Sequence, residues 1–478
     1  MQKRLIAVVL FALCFSSIIA QTELSSTQLE ASDWVKANAI AITTLTAESG
    51  LDDLEPVKNL VGDAKILALG EATHGTSEFF KLKHRMLEYL VKKQGFTMFA
   101  IEGSWASAFE INRYVMGSND SIASLRSDKG GNARDLLNKY ARVMWPWRVT
   151  EVLDLIEWMR VYNAREDTPV KVQFTGFDMQ EPVPAVDWLT DYLERSGSDQ
   201  VARVEGLLGC IRFSLNNILA VARYSNAGPQ GALDCQTNIG TVKKILNNRR
   251  KTFEPKLGSL EFNQALQMQR TLEQASAYYS ARFITGDLFG AVVMRDEFMT
   301  QNVAWLAKNS GLGAKLVLWA HNGHVTFNPN MSLGWKPMGA RLKDRFGSSY
   351  KVFGFSFYTG DFYAQLLDSS DPTRTLAAAV LGLAANPSIN RVPMPVKNSY
   401  ETVFHAANIP MFILGTDTKD DPSSGAKWLQ GPHRLYLVPQ NLPPFKTPPP
   451  DWISYDSRIG QDFDAVIYVD QTHPSTPL

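Results

Sequence analysis

The feature that most constrains the fold of this chain is a series of short apolar runs without polar alternation. Runs of this kind are typical of strands buried on both faces, as in a parallel sheet. Helix-length amphipathic segments lie between most of them, which predicts a mostly parallel sheet flanked by helices. The runs are "KILAL" (65–69), "TMFAIE" (97–102), "VKVQFTGF" (170–177), "AKLVLWA" (314–320) and "KVFGFSF" (351–357), with further candidates at 411–416, 434–439 and 465–470.

One long interval interrupts this alternation. Residues 183–310 contain no convincing strand, and the stretches 262–283 and 291–309 are typical of helices. We therefore expect an α/β core built from residues 21–182 and 311–478, with residues 183–310 as a helical insertion or bundle. Cys210 and Cys235 both lie in this insertion, where either a disulfide or two unpaired cysteines would fit. The proline-rich stretch 439–452 predicts a surface loop.

The first twenty residues predict a secretory signal peptide. Lys3 and Arg4 precede an apolar run that starts at Leu5, and Ala20 offers a small residue for cleavage. An uncleaved membrane anchor is the alternative. Cleavage after residues 1–20 would leave an exported protein, periplasmic or secreted, with no attachment to the membrane.

The charge balance argues against nucleic acid as a partner. Lys+Arg and Asp+Glu both number 48, so the formal net charge is zero, and the chain has no basic run. A protein that binds nucleic acid usually carries a basic excess or patch. We expect a small-molecule partner instead, and the oligomeric state stays open.

Acids and histidines follow four consecutive predicted strands. In open parallel sheets, ligands bind in the crevice beyond the carboxyl ends of the strands, so these side chains should converge there. For each of them a turn or a helix cap is the alternative role. The residues are Glu71 and His74 after the first strand, Glu102 at the end of the second, Asp178 after the third, and His321 and His324 after the fourth.

Lys83 stands where a helix should present its apolar face. In the helix predicted after the first strand, it falls inside the apolar stripe that runs from Phe79 to Leu90. A lysine in a core is costly unless a carboxylate pairs with it, and Glu71 and Glu102 are the natural candidates. The alternative is that its stem extends out to water.

These residue types suit hydrolysis by an activated water molecule. A histidine can remove a proton from water near neutral pH, and a neighbouring carboxylate can fix its tautomer. A second histidine or the lysine could stabilise negative charge that develops on a carbonyl oxygen. The chain contains no G-x-S-x-G motif, which argues against a serine hydrolase of the nucleophile-elbow type.

Two other readings remain open at this point. The same histidines and carboxylates could bind a divalent metal, although no H-E-x-x-H motif occurs and their spacing is not diagnostic. We expect no cofactor, with a metal-dependent hydrolase as an alternative. The three strand-end histidines and the segment "MWPWR" (144–148) would also suit a non-catalytic protein that binds a large, haem-like ligand.

Seven motifs, in order, resemble the erythromycin esterase family. The resemblance extends from about residue 50 to "FDAVIYVD" and implies an α/β core with an associated helical region. It also implies hydrolysis of a macrolide lactone by activated water without a covalent enzyme intermediate, and a part in antibiotic resistance and the response to antibiotics. The motifs are "LGEATHGTSEFFKLKHRMLEYLV", "FAIEGSW", "WRVTEVLDLIEWMRVYN", "GFDMQ", "RDEFMTQNVAWL", "WAHNGHV" and "MGARLKDRFGSSYKVFGFSF".

The resemblance also implies roles for individual residues. His74 would occupy the family's general-base position beside Glu71, and Lys83 stands where some members carry an arginine, which would form a bidentate fork that lysine lacks. Macrolides act on the ribosome, so an exported enzyme could act on another ester. We predict His74, Glu71, His321, Glu102 and Lys83 as catalytic, and His324, Glu78 and Asp178 as substrate-binding.

Overall fold

The computed structural model describes residues 24–117, 132–140, 145–214, 217–311, 313–329, 334–366, 388–438, 441–442 and 447–478. The signal peptide expected over residues 1–20 lies outside these ranges. No helix within them combines the length and the apolar character that crossing a bilayer requires.

A ten-stranded sheet forms the centre of the molecule. Its main order is β1-β8-β12-β6-β2-β5-β3-β4, while β7 and β10 pair with β6, and β9 and β11 form a separate two-stranded sheet. The strands are β1 Ile40–Ala41, β2 Ile66–Leu69, β3 Met98–Ser104, β4 Gln173–Asp178, β5 Leu316–Trp319, β6 Tyr350–Leu366, β7 Ser388–Arg391, β8 Met411–Gly415, β9 His433–Tyr436, β10 Asn441–Leu442, β11 Ser454–Ser457 and β12 Ala465–Thr472.

The sheet is mostly parallel, as the sequence predicts. Strands β12, β6, β2, β5, β3 and β4 pair with their neighbours in parallel. Antiparallel pairing appears at one edge, where β8 pairs with β12 and β1 pairs with β8, and between β6 and β7.

Both faces of the sheet are covered, which explains the continuous apolar runs. In β2, Ile66 and Ala68 belong to one buried cluster, and Leu67 and Leu69 belong to another. Successive side chains of a strand point to opposite faces, so a strand between two cores needs apolar residues at every position.

Helices supply the two outer layers. The interval between β4 and β5 contains helices and no strand among its described residues, and it ends in a π-helical turn, Ser280–Thr285, and one long helix. The α-helices are Ser26–Asn38, Val57–Val61, Ser77–Gln94, Trp105–Val115, Ala133–Tyr140, Thr150–Ala164, Pro182–Arg195, Val201–Leu208, Ile218–Asn226, Gly228–Asn248, Arg250–Tyr279, Leu288–Asn309, Asn322–Val325, Met338–Phe346, Tyr400–Ala406, Ser424–Gln430 and Ile459–Asp462.

All eight apolar runs form strands, whereas four further strands among the described residues carry no such signal. Strands β1, β7, β10 and β11 are two to four residues long, and β7 ("SINR") and β11 ("SYDS") are largely polar. Pairing with a neighbouring strand, rather than their own composition, makes these segments extended. Strand β10 lies inside the proline-rich stretch 439–452, which the sequence predicts as a loop.

Cys210 and Cys235 form a disulfide in the helical region, with their Cα atoms 5.7 Å apart. Cys235 lies in helix Gly228–Asn248, and Cys210 follows the end of helix Val201–Leu208. The sequence leaves open a disulfide or two unpaired cysteines, and the structure has the disulfide.

Replacing both cysteines by serine should lower the free energy of unfolding by about 3 kcal/mol, because the bridge closes a loop of 25 residues and restricts the unfolded chain. Urea denaturation of the Cys210→Ser/Cys235→Ser variant measures this. A reductant should bring the wild type to the same midpoint and leave the variant unchanged. A wild-type midpoint that does not respond to reductant would contradict the assignment.

Candidate functional site

Four adjacent parallel strands, in the order β2-β5-β3-β4, bring the predicted residues to one edge of the sheet. Their carboxyl ends carry the acids and histidines that the sequence singles out. Strand β3 has a register shift there: Ile101 pairs with Gly176, but Ser104 pairs with Asp178, so β3 contains one extra residue. Such a bulge redirects a side chain and is common beside functional sites. Glu102 lies within it.

His74 and Glu71 form a histidine–carboxylate pair in the turn after β2. Nδ1 of His74 lies 2.6 Å from Oε1 of Glu71. Because Nδ1–H donates this hydrogen bond to the carboxylate, the lone pair of the imidazole lies on Nε2. The His74 side chain is 11% exposed and Glu71 is fully buried. His74 therefore presents a basic nitrogen at the surface of the site.

Glu71 is held by two further donors on its other oxygen. Nζ of Lys83 and Nε1 of Trp319 each lie 2.6 Å from Oε2. Burial opposes ionisation, but the Lys83 ammonium and the hydrogen bond from His74 outweigh it and lower the pKa of Glu71. Of the two carboxylates that the sequence offers as partners for Lys83, the structure has Glu71, and the lysine stem does not reach water.

Lys83 has no access to a substrate. Its side chain is 0% exposed, and Nζ lies 4.2 Å from the ring centroid of Trp319. Burial lowers the pKa of Lys83 to about 8, and the Glu71 carboxylate opposes that shift. The ammonium therefore acts through Glu71. This position does not support the direct role on a carbonyl oxygen that the sequence suggested for a cation.

Arg295 organises the acidic side of the site. Its Nη2 atom donates to Oε1 of Glu102 at 2.7 Å and to Oδ2 of Asp178 at 2.6 Å, and Nε also donates to Oδ2 at 3.0 Å. Burial alone would raise the pKa of Glu102, but the charges of His324 and Arg295 outweigh that effect and hold the pKa well below its usual range. Asp178 is therefore an ion-pair partner rather than a simple turn residue.

His324 lies between a carboxylate and this guanidinium. Nδ1 lies 2.6 Å from Oδ1 of Asp296, and Nε2 lies 3.0 Å from Nη1 of Arg295 and 3.4 Å from Oε1 of Glu102. Burial alone would lower the pKa of His324, but the carboxylates of Asp296 and Glu102 outweigh that effect and raise it. Trp335 donates its indole N–H to Oδ2 of Asp296 at 2.6 Å, which fixes that carboxylate.

The ring of His321 packs against the ring of His74. Their ring centroids lie 4.8 Å apart, and the backbone N–H of His321 donates to Oε2 of Glu102 at 2.9 Å. Nε2 lies 3.1 Å from the carbonyl of Val438, so this nitrogen carries the proton. Burial and the neighbouring His74 lower the pKa of His321 to about 3. The ring is therefore neutral at physiological pH.

Glu78 is the predicted residue that the structure does not bring into this network. Its two oxygens bind the backbone N–H of His473 at 2.8 Å and the ring Nδ1 of His473 at 2.7 Å. Its position in the first turn of helix Ser77–Gln94 makes it a partner for a neighbouring segment rather than for the histidines.

Sequence reasoning missed three residues of the site: Arg295, Asp296 and Trp335. Arg295 and Asp296 lie in helix Leu288–Asn309, inside the motif "RDEFMTQNVAWL". That motif was a usable signal, because in it an arginine directly precedes an aspartate, as in no other quoted motif. Their partners lie far away in sequence, 117 residues in the case of Asp178, so no local pattern could reveal the pairing.

The arrangement separates two chemical functions. On one side, Glu71 orients His74 so that its Nε2 is free to take a proton. On the other, Arg295 supplies positive charge beside His324, and their side chains are 13% and 15% exposed. These are the elements that hydrolysis of a carbonyl compound requires.

Neither alternative reading gains support from the geometry. Across the described residues, no group of three or more His, Cys, Asp and Glu side chains could hold a metal ion. Trp147 is buried against Trp319 and Phe80, with ring centroids 5.0 and 6.0 Å away, which is core packing. Met144, the first residue of the segment "MWPWR", lies outside the described residues.

A family model described as erythromycin esterase matches residues 91–472. The matched region contains Glu102, Asp178, Arg295, His321 and His324, whereas Glu71, His74 and Lys83 precede it. The match covers well over half of the chain.

Curated relatives carry related names. The Escherichia coli protein named erythromycin esterase type II is 25% identical over 350 residues, which is 69% of this chain and 77% of that protein. The Bacillus subtilis protein YbfO, provisionally named as a hydrolase, is 24% identical over 97% of this chain and 96% of its own length. The Escherichia coli erythromycin esterase type I is 22% identical over 66% of this chain and 75% of that protein.

Solved structures share the fold. A succinoglycan biosynthesis protein superposes with a TM-score of 0.75 at 21% identity, covering 95% of this chain and 100% of the other. An erythromycin esterase mutant in its open conformation superposes with a TM-score of 0.62 at 17% identity, covering 91% and 97%. At these identities the likeness concerns the fold.

Acid should destabilise the protein partly through His321. Its pKa is about 3 in the folded protein and about 6.5 when unfolded. The unfolded chain therefore binds an extra proton between these values. The contribution of neutral His321 to the free energy of unfolding is fully present above pH 6.5. It is lost as the pH falls towards 3, at about 1.4 kcal/mol per pH unit.

Urea denaturation at several pH values tests this. The slope of unfolding free energy against pH between 4 and 6 should be shallower in His321→Asn by about 1.4 kcal/mol per pH unit. His84 is a matched second case, because burial lowers its pKa to about 4, and His84→Asn should flatten the slope likewise. A His321→Asn slope equal to that of the wild type would mean that His321 takes up a proton in the folded state.

Proposed function

The chain belongs to the erythromycin esterase family, and we propose that it hydrolyses a carboxylic ester or lactone with a water molecule activated by His74. The observation that carries this proposal is the 2.6 Å bond between Nδ1 of His74 and buried Glu71, which leaves Nε2 free. The names of the family and of the curated relatives support a hydrolase.

In the proposed reaction His74 acts as general base. Nε2 takes a proton from water while the water oxygen bonds to the carbonyl carbon. Glu71 keeps the ring in the required tautomer and stabilises the imidazolium that forms. The proton on Nε2 then passes to the departing alcohol oxygen as the ester C–O bond breaks. The products are a carboxylic acid and an alcohol.

We assign the developing negative charge on the carbonyl oxygen to Arg295 and His324. Both carry or readily accept positive charge and both are partly exposed, unlike Lys83. Charge-bearing donors held in place before reaction stabilise such an oxyanion without having to reorganise. Glu102, Asp178 and Asp296 hold these two side chains, and His321 packs beside the base.

For the substrate we propose a macrolide lactone. The names of two Escherichia coli relatives, erythromycin esterase types I and II, support it. If residues 1–20 are a signal peptide, as we propose, the enzyme would be periplasmic or secreted. It would then meet a macrolide before the drug enters the cell, or would cleave another ester of that compartment.

Replacing His74 by alanine should abolish turnover of erythromycin. Mass spectrometry should detect the gain of one water molecule with the wild type and none with His74→Ala. Of the three histidines of the site, His321 and His324 have both ring nitrogens in contact with a partner, and His74 has Nε2 free. Circular dichroism of the variant should match the wild type. A folded His74→Ala variant that still hydrolyses erythromycin would contradict the proposed mechanism.

Two controls separate the alternatives. Incubation with a chelator should leave the wild-type rate unchanged, whereas loss of activity that added metal restores would favour the metal-dependent reading. If the wild type leaves erythromycin intact but cleaves p-nitrophenyl esters, the proposed mechanism stands and the proposed macrolide substrate is wrong.

Replacing Lys83 by methionine should move the acid limb of the kcat profile to higher pH. The ammonium lowers the pKa of Glu71, and without it Glu71 would protonate earlier and stop orienting His74. An opposite charge typically shifts a carboxyl pKa by roughly 1 to 3 units. Lys83→Arg keeps the charge, and its profile should stay near that of the wild type. Superimposable Lys83→Met and wild-type profiles would contradict the role.

A further inference from the structure

Residues His473–Leu478 ("HPSTPL") lie as an extended strap across the turn that carries His74. Two antiparallel bridges anchor this strap, Thr76 with Pro474 and Val149 with Pro477. The strap follows the last residue that the family model matches, which is 472.

The strap holds the residue directly after the base. The backbone N–H of Ser475 donates to the carbonyl of Gly75 at 2.9 Å, and the N–H of Tyr363 donates to the same carbonyl at 3.0 Å. A Cβ atom on Gly75 would lie 2.1 Å from the carbonyl oxygen of Tyr363, so the contact leaves no free space. The residue next to His74 is therefore clamped between the strap and β6.

The strap also fixes the start of the helix after the turn. The N–H of Ser77 donates to the carbonyl of His473 at 2.9 Å. In return, His473 binds both oxygens of Glu78 through its backbone N–H and its ring. The side chain of Glu78 is only 10% exposed, and His473 supplies its partner. These contacts explain why Glu78 follows the histidine motif without joining the site.

A second set of contacts ties the strap to the segment behind Trp147. The N–H of Thr476 donates to Oε2 of buried Glu151 at 3.1 Å, and the N–H of Leu478 donates to the carbonyl of Arg148 at 3.0 Å. The ring of Trp147 meets that of His74 edge-on at 6.3 Å between centroids. The strap thus joins the two segments that flank the base.

The sequence of the strap suits this position. Pro474 and Pro477 lack an N–H and stand at the two bridge positions, while the backbone donors are the N–H groups of His473, Ser475, Thr476 and Leu478. A fixed φ at two positions reduces the conformational entropy that ordering the segment costs.

We propose that the strap His473–Leu478 is a positioning element that sets the orientation of His74, an inference that rests on the proposed role of His74 as the base. It touches no reacting atom. Removing it should lower kcat and leave KM nearly unchanged, since a displacement of about 1 Å at a reacting group can cost about a hundredfold in rate.

A matched pair of variants at Ser475 isolates the contact with the turn. Ser475→Pro removes the N–H that donates to Gly75 and should lower kcat on erythromycin about tenfold. Ser475→Ala keeps that N–H and loses only a hydroxyl that has no hydrogen-bond partner among the described residues, so kcat should stay within twofold of the wild type. Equal rates in the two variants would overturn the proposal.

Deletion of residues 473–478 gives the larger effect. We expect kcat to fall about a hundredfold and the synthetic peptide HPSTPL, added in trans, to restore part of it, while a scrambled peptide does not. A folded deletion variant with wild-type kcat would overturn the proposal. If the deletion variant does not fold, the Ser475 pair decides alone.

Nuclear magnetic resonance of histidine-labelled protein provides a readout that needs no substrate. The low-field Nδ1 proton of His74 reports its bond to Glu71, and the His74→Ala variant assigns it. The signal should broaden or move in Ser475→Pro and remain in Ser475→Ala. If the wild type hydrolyses no ester, the proposed function fails, and this signal still tests the strap: no change in Ser475→Pro would overturn it.

Discussion

The site depends on one buried carboxylate, that of Glu71. It accepts hydrogen bonds from a histidine, a lysine and a tryptophan that come from the turn after β2, helix Ser77–Gln94 and the end of β5. A carboxylate without these partners would be costly to bury. With them it stays ionised, and three separate parts of the fold are joined at one point. The orientation of His74 follows from this interaction.

The second half of the site has a different origin. Arg295 and Asp296 come from helix Leu288–Asn309, the last helix of the region between β4 and β5. Through them the helical region contributes directly to the edge of the sheet, because Arg295 binds Glu102 of β3 and Asp178 of β4. The helical region is therefore part of the site and not a separate attachment. Substitutions that shift this helix should disturb the acidic side while the Glu71–His74 pair stays intact.

Much of this could be predicted from the sequence because the relevant signals are local. The apolar runs identify the strands that are buried on both faces, and residues such as Glu71 and His321 stand directly after them. Lys83 could be predicted to pair with a carboxylate, either Glu71 or Glu102, because a lysine in an apolar stripe is costly without one. Arg295 could not be placed, since its partners depend on how distant segments pack. The same limit applies to β7 and β11, which are extended only because a neighbour pairs with them.

The contacts between the strap and the turn after β2 join residues 395 positions apart in the chain. Contacts of such long range form late in folding, because a large loop must close before they contribute. A chain still being synthesised would hold the Glu71–His74 segment for a long time without its final support. An enzyme built in this way would gain its activity only after residues 473–478 have been made and have folded back, and a copy without them would carry the base without holding it in place.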